Sequence, residues 1–318
     1  MGPRRAGALS MHEGMFVEID GVPQWVTIRG SDLHNPILLI LHGTGFALSS
    51  MPLFFAPWER DFTVVQWDQP GAGATYFKNS GTGTVPLTLD RITRDGIAVT
   101  EFLRRRLDAD KLVLAGLSGG SIIGLQMVKE RPDLFSAYVG SGQFVNWARQ
   151  ETLSYAMVLD QARAAGDQEA IAELEQIGPP PYKDVATDAI KSKYAGALTP
   201  SEQADFATLD PSVLVAKGSA AFDARAVSME TFAKLKGEIA GFDARRLGMQ
   251  FDVPMFFFQG ERDAYSVTSE VEAYEAEIQA PNKMIVLVRG GGHSCYFMRD
   301  EFLALLNRHV VPTLKHLI

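Results

Sequence analysis

The chain has 318 residues, 46% of them hydrophobic and 21% charged, an average that excludes disorder, collagen-like repeat and coiled coil and supports one large domain with an insertion, or two domains. A formal charge of −8 repels phosphate backbones and anionic lipid, so neither nucleic acid nor a membrane surface is an expected partner. The single cysteine, Cys295, can form neither an internal disulfide nor a Cys-rich zinc site, which fits a reducing compartment.

Residues 1–14 carry Arg4 and Arg5 but no apolar run of signal-peptide length, and read as a loose leader on a cytoplasmic protein, with Met11 and Met15 as alternative starts. Two alternating runs, 16–19 and 24–28, flank Asp20-Gly21-Val22-Pro23 and predict an antiparallel hairpin. The continuous apolar runs 36–41 and 62–67 read as strands buried on both faces, ending at His42-Gly43 and at Asp68. Apolar residues at helical spacing predict an amphipathic helix over 89–107, followed by a buried strand over 111–117, a helix over 121–130 and a short strand over 137–141. From 143 to 248 the texture becomes Ala-, Glu-, Asp- and Gln-rich, with helical spacing and almost no strand-like run, and predicts a helical cap. Alternation resumes with a strand over 254–259, a helix over 269–278, a strand over 283–288 and a last helix from 300 to about 317. The expected architecture is a mostly parallel, doubly wound α/β sheet whose core spans 15–142 and 249–318, with 143–248 inserted as a cap. No apolar stretch is long enough to span a membrane.

The segment Gly116-Leu117-Ser118-Gly119-Gly120 places G-x-S-x-G between a buried strand and a helix. At such an elbow the central residue is forced toward unusual φ/ψ, and only very small residues fit two positions to either side. The free N–H groups of the following helix then face an oxygen that turns negative on attack. The competing reading is an ordinary Gly-rich turn with an incidental serine.

A serine hydroxyl needs a base, and the base needs an acid that fixes its tautomer. Among six histidines, His293 sits in a Gly-rich loop just after a buried strand and is the preferred base; His42, directly after a strand, is its rival and is otherwise expected to order the neighbouring loop through hydrogen bonds. His12, His34, His309 and His316 read as surface or packing residues. Asp263, after the strand ending at Gln259-Gly260, is the preferred acid, with Glu261 in the same loop as runner-up and Asp252 at the wrong end of the strand. The backbone N–H groups of Thr44, in His42-Gly43-Thr44-Gly45, and of Gly119 are the expected oxyanion donors, unless the Gly-Thr-Gly turn is merely structural. Asp68-Gln69-Pro70-Gly71-Ala72-Gly73 is a weak phosphate-loop signal without a Walker lysine, and no His and carboxylate cluster suggests a metal.

The order Ser118, Asp263, His293 is that of the α/β-hydrolases. Within that superfamily the chain from about Met15 resembles the proline iminopeptidases, or prolyl aminopeptidases. His42 to Gly45 stands where that family has HGGPG, Trp67 to Gly73 where it has DQRGxGxS, and Gly116 to Gly120 where it has GGSWG. The resemblance implies Ser118 as nucleophile, Asp263 as acid and His293 as base. Three departures weaken substrate identity: Thr44-Gly45 for Gly-Pro, Pro70 for arginine and Gly119 for tryptophan. In that family cap carboxylates hold the substrate's free amino group; Glu151, Glu173, Glu175, Glu202 and Glu230 are the candidates here.

The expected activity is that of a cofactor-free, metal-free serine hydrolase working through an acyl-enzyme on a small peptide or amide with a free N-terminus, with the aromatic residues Phe144, Trp147 and Tyr155 lining the pocket. A carboxylesterase acting on small apolar esters is the alternative, and a non-catalytic ligand-binding module on the same fold is the alternative of another class. Oligomeric state is not legible in the sequence.

Overall fold

The computed structural model describes residues 10–51, 53–81, 86–209 and 224–314. Strands β1 (Met11–Ile19) and β2 (Val22–Gly30) form the expected hairpin, but β1 begins at Met11, within the segment expected to be a leader; residues 1–9 lie outside the described residues. The turn is tighter than expected, because Asp20 and Gly21 both adopt positive φ, 46° and 75°, and join Ile19 to Val22 directly.

The remaining strands are β3 (Ile37–Leu41), β4 (Thr63–Trp67), β5 (Leu112–Leu117), β6 (Phe135–Ser141), β7 (Met255–Gly260) and β8 (Lys283–Val288), in the spatial order β1-β2-β4-β3-β5-β6-β7-β8. All pairings from β4 to β8 are parallel, whereas β1 with β2 and β2 with β4 are antiparallel. This is the mostly parallel sheet of the α/β-hydrolase fold. Its inner strands are buried on both faces: Ile37, Leu39 and Leu41 join one apolar cluster, while Leu38 and Ile40 join the other.

The short helix α1 (Gly73–Lys78) follows β4, and α2 (Leu89–Leu107) and α3 (Gly120–Glu130) follow in turn. Helices α2 and α3 cover one face of the sheet with Ile92, Val99, Leu103, Ile122 and Ile123. Between β6 and β7 the described residues form helices: α4 (Trp147–Ala165), α5 (Gln168–Ile177), α6 (Val185–Ala195), α7 (Pro200–Ala207) and α8 (Ala224–Ala240), with a short 3-10 turn after them. The ends of this excursion meet: Asn146 bridges Asp243, and Ala244 N–H donates to the Val145 carbonyl at 2.7 Å. The helices therefore leave and rejoin the core at one point, beyond the carboxyl end of β6.

After β7 come α9 (Thr268–Glu277) and, beyond β8, α10 (Arg299–Leu305). The last helix expected from 300 runs without interruption through the described residues but widens in its middle: a π turn, Leu306–Val310, joins α10 to α11 (Val311–Leu314). Pro312 has no N–H to give the fourth carbonyl back, and its ring crowds that carbonyl, so the preceding turn widens. His316 lies outside the described residues. Among the described residues no helix is long and apolar enough to cross a membrane.

Candidate active site

Ser118 terminates β5 with φ of +52°, a left-handed conformation that a non-glycine residue enters only when its surroundings force it. The surroundings are visible in the flanking glycines. A Cβ on Gly116 would approach the Ser121 Cα to 2.8 Å, and one on Gly120 would overlap the Leu41 and His42 carbonyl oxygens. The elbow is pinned by Ser118 N–H donating to the Ser141 carbonyl at 2.8 Å and Ser121 N–H donating to the Ser118 carbonyl at 2.8 Å.

The turn presents Ser118 Oγ 2.8 Å from His293 Nε2. On the far side of the ring, Nδ1 lies 3.2 Å from Asp263 Oδ1 and 3.1 Å from Oδ2. Asp263 is fully buried and saturated: Oδ1 accepts the Tyr265 and Ser266 N–H groups at 2.8 and 2.9 Å, and Oδ2 accepts the Gln259 amide at 2.7 Å and the Ser266 hydroxyl. Burial, the largest influence, pushes this carboxyl up, but His293 and the Ser266 donors together hold it below the ordinary carboxylate value. The three residues preferred from the sequence thus come together, and a carboxylate so held fixes the imidazole with its Nε2 lone pair toward the serine. Glu261 faces elsewhere, accepting the Gly290 N–H at 3.0 Å.

His42 is not within this chain of contacts. Its Nε2 accepts the Gln69 N–H at 3.2 Å, which leaves the proton on Nδ1, 2.7 Å from the Gly43 carbonyl. Burial pushes its pKa down to about 4, so the ring is neutral and serves as a brace under the Gly43-Thr44 loop. A Cβ on Gly119 would sit 2.9 Å from the Thr44 nitrogen, which makes the two expected oxyanion donors immediate neighbours. The same loop is held from α8, where the Ser228 hydroxyl donates to the Thr44 carbonyl at 2.6 Å.

The Asp68 to Gly73 segment is folded on itself: Asp68 Oδ2 accepts the Ala74 N–H at 2.7 Å at the start of α1, and the Asp68 carbonyl accepts the Thr75 hydroxyl at 2.6 Å. The Asp68 carboxylate thus takes the place at the start of α1 that a phosphate would need. Cys295 is buried, and burial pushes its thiol up, so it is held as an unreactive packing group. Among the described residues no His, Cys, Asp and Glu cluster could hold a metal ion.

A cavity of about 330 Å³ opens over Ser118, His293, Gly43, Thr44 and Gly119. Phe144 and Trp147 line it as expected, joined by Phe232 and Ile239 of the α8 segment and by Tyr265. Tyr155 does not: its ring packs among α4, α5 and α6 and its hydroxyl donates to the Leu174 carbonyl at 3.1 Å. An aromatic side chain on these helices serves their mutual packing as readily as a pocket, and Tyr155 of α4 points into the inserted helices' own core.

The five candidate glutamates are also engaged elsewhere. Glu151 accepts from Lys191 at 2.6 Å, Glu173 from Lys193 at 3.1 Å, Glu175 from Arg163 at 2.8 Å and Glu230 from the Tyr76 hydroxyl at 2.6 Å, while Glu202 caps α7. The carboxylate that lines the cavity is Asp188 of α6, only 4% exposed. Val185, Asp188, Ala189 and Ser192 face the cavity together at helical spacing, a stripe that a helical reading of 185–195 could have revealed. Behind Asp188, the fully buried Lys191 gives its short bond to Glu151, whose carboxyl is pushed up by burial against the pull of Lys191.

The family model described as serine aminopeptidase, S33, matches residues 34–300. A protein named probable aminopeptidase YbaC, from Bacillus subtilis strain 168, is 28% identical over 304 residues, covering 92% of this chain and 94% of its own. Among solved structures, a proline iminopeptidase-related protein of Thermus thermophilus superposes with a TM-score of 0.64 at 18% identity, over 95% of this chain and 99% of that one. A thermophilic esterase from Thermogutta terrifontis gives 0.59 at 15% identity, over 96% and 99%. These two likenesses show the shared α/β-hydrolase fold. The chain belongs to the S33 serine aminopeptidase family.

Proposed function

We propose that this S33 family member is a serine hydrolase that removes the N-terminal residue from small peptides or amides through an acyl-enzyme. The observation that carries the reading is the unbroken contact from Ser118 Oγ to His293 Nε2, at 2.8 Å, and on to a buried, donor-saturated Asp263, at the floor of a cavity of about 330 Å³. His293 takes the Ser118 proton as Oγ attacks the substrate carbonyl carbon, and the carbonyl oxygen becomes an oxyanion facing the N–H groups of Thr44 and Gly119. Collapse expels the amine, which leaves with the proton from His293. Water, deprotonated by the same imidazole, then attacks the ester carbonyl and frees Ser118. The helices between β6 and β7 act as the cap that encloses the substrate.

Asp188 supports the aminopeptidase assignment within the broader hydrolase class. Asp188 beside Glu151 puts two buried carboxylates on one buried cation, Lys191, and a substrate's α-ammonium group at the cavity wall supplies a second. The name of the Bacillus subtilis relative and that of the Thermus thermophilus neighbour point the same way. The apolar remainder of the wall, Phe144, Trp147, Phe232 and Ile239, keeps a second reading in play, a carboxylesterase on small apolar esters.

Two assays test this. A fluorophosphonate should label the chain and fail to label Ser118→Ala; an unlabelled parent would mean a binding module in place of an enzyme. Aminoacyl-arylamides, proline among them, are then compared with short-chain aryl esters. Amide turnover at background alongside rapid ester turnover would assign the esterase.

A further inference from the structure

His293 follows three successive glycines, Gly290 to Gly292, the most permissive backbone the chain could place before a group that must be held to a few tenths of an ångström. Most of the bonds that restrain the loop come from the ends of β7 and β8: Gly291 N–H donates to the Val288 carbonyl at 3.1 Å, and Arg262 N–H to the Gly291 carbonyl at 2.8 Å. The residue immediately before the histidine is held differently. Gly292 N–H donates to Glu202 Oε1 at 2.9 Å, and Glu202 belongs to α7, in the helical insertion.

Glu202 is fully buried. Its other oxygen, Oε2, accepts the Thr199 N–H at 2.7 Å and the Thr199 hydroxyl at 3.1 Å, completing the capping box that starts α7. One carboxylate therefore joins the first turn of an insertion helix to the backbone of the proposed base. The two surfaces are also fitted: a Cβ on Gly292 would come within 2.9 Å of the Thr199 methyl and 3.0 Å of Glu202 Oε2, and one on Gly290 within 2.6 Å of the Ser201 hydroxyl. A capping box alone needs neither the burial nor the bond to Gly292.

We infer that Glu202 is a positioning residue that ties the His293 loop to α7, so that the imidazole reaches Ser118 only while that helix is seated. This rests on the serine-hydrolase reading given above. When α7 moves, Gly292 moves with it, and the base leaves its place between Asp263 and Ser118.

The test is the per-site rate of fluorophosphonate labelling, with the labelled fraction at completion counted separately, on the full-length protein. Glu202→Ala should slow labelling by roughly 10- to 100-fold while every site still titrates. Glu202→Gln, which keeps one acceptor oxygen, should fall between. Thr199→Val removes the cap hydroxyl but leaves the Gly292 bond; it should lower the melting temperature and label at the parental rate. A folded Glu202→Ala labelled at the parental rate would overturn the inference, as would Thr199→Val slowed as much as Glu202→Ala, which would mean helix packing. Should Glu202→Ala not fold, Glu202→Met, which fills the same space without an acceptor, takes its place, and a parental rate for it has the same force. A parent that resists labelling removes the hydrolase reading and this one with it, whereas a labelled parent with an indifferent Glu202 removes only this one.

Discussion

Gly119→Ala is the sharpest probe of the oxyanion assignment, because the backbone gives alanine no reason to fail there. Gly119 has φ of −53° and ψ of −29°, ordinary right-handed values at the start of α3. The whole effect must then come from the added methyl group. It would lie 2.9 Å from the Thr44 nitrogen, against 3.4 Å for ordinary van der Waals contact, and would overlap the Thr44 hydroxyl. The hydroxyl can rotate away; the backbone nitrogen cannot, so the Thr44 N–H must retreat by about half an ångström. Oxyanion donors work within about 2.7–3.1 Å, so that retreat removes one donor, a loss of about 3 kcal/mol or roughly 100-fold in kcat. Turnover of a short-chain aryl ester reads kcat, and urea unfolding checks that the fold is unharmed. Adding Thr44→Ala to Gly119→Ala removes the hydroxyl contact only and should recover a minor part of the loss. A Gly119→Ala enzyme within about threefold of the parent would refute the assignment of these two N–H groups.

Asp188→Asn removes the charge proposed to meet the substrate ammonium while keeping the side chain's size. It should lower kcat/KM on aminoacyl-arylamides by about 10- to 100-fold, the worth of a charge-assisted bond, and leave neutral aryl esters within about twofold; equal losses on both would reject the amine subsite. Asp68→Asn tests the buried turn after β4. Burial pushes the Asp68 carboxyl up to about 6, against the Ser49 hydroxyl and the Ala74 N–H that pull it down. Because this folded value lies above the unfolded one, the native state binds more protons through the window between them, and stability is lost as pH rises from about 4 to 6. The variant lacks that loss, so its stability relative to the parent should grow by about 2 kcal/mol between pH 4.5 and 7.5 in urea titrations. His42 acts with the opposite sign: its folded value is depressed to about 4, so its contribution is present above about 6.5 and is lost as pH falls. The two largely cancel in the parent, and Asp68→Asn should therefore be the more acid-sensitive protein. A relative stability that does not change with pH would remove the buried charge from the account.

What the sequence made legible, and what it hid, divides along the range of the forces involved. The elbow at Ser118 was readable because its causes are local: a strand, a helix and two glycines within five residues demand one backbone geometry, and the +52° φ is that demand met. Asp263 and His293 were readable because each lies in the loop beyond a strand, buried β7 and the half-exposed edge strand β8, and parallel strands deliver their carboxyl ends to one edge whatever lies between them. Thr44 and Gly119 were named from the same logic, yet their mutual fit was not foreseeable, since it depends on two loops from different strands meeting at van der Waals distance. The helical insertion marks the limit. Its helices were evident from composition, and Val185, Asp188, Ala189 and Ser192 share one face of α6 by spacing alone, but that this face meets the cavity while α4 turns Tyr155 into the helices' own core depends on how the helices pack. Glutamates on Ala/Glu-rich helices looked alike in the sequence; in three dimensions four are taken by Lys, Arg or Tyr partners, and Glu202 reaches back to the glycine before His293. A residue can thus belong to the helical insertion by sequence and to the His293 loop by hydrogen bond, a pairing of two segments ninety positions apart that no local pattern encodes.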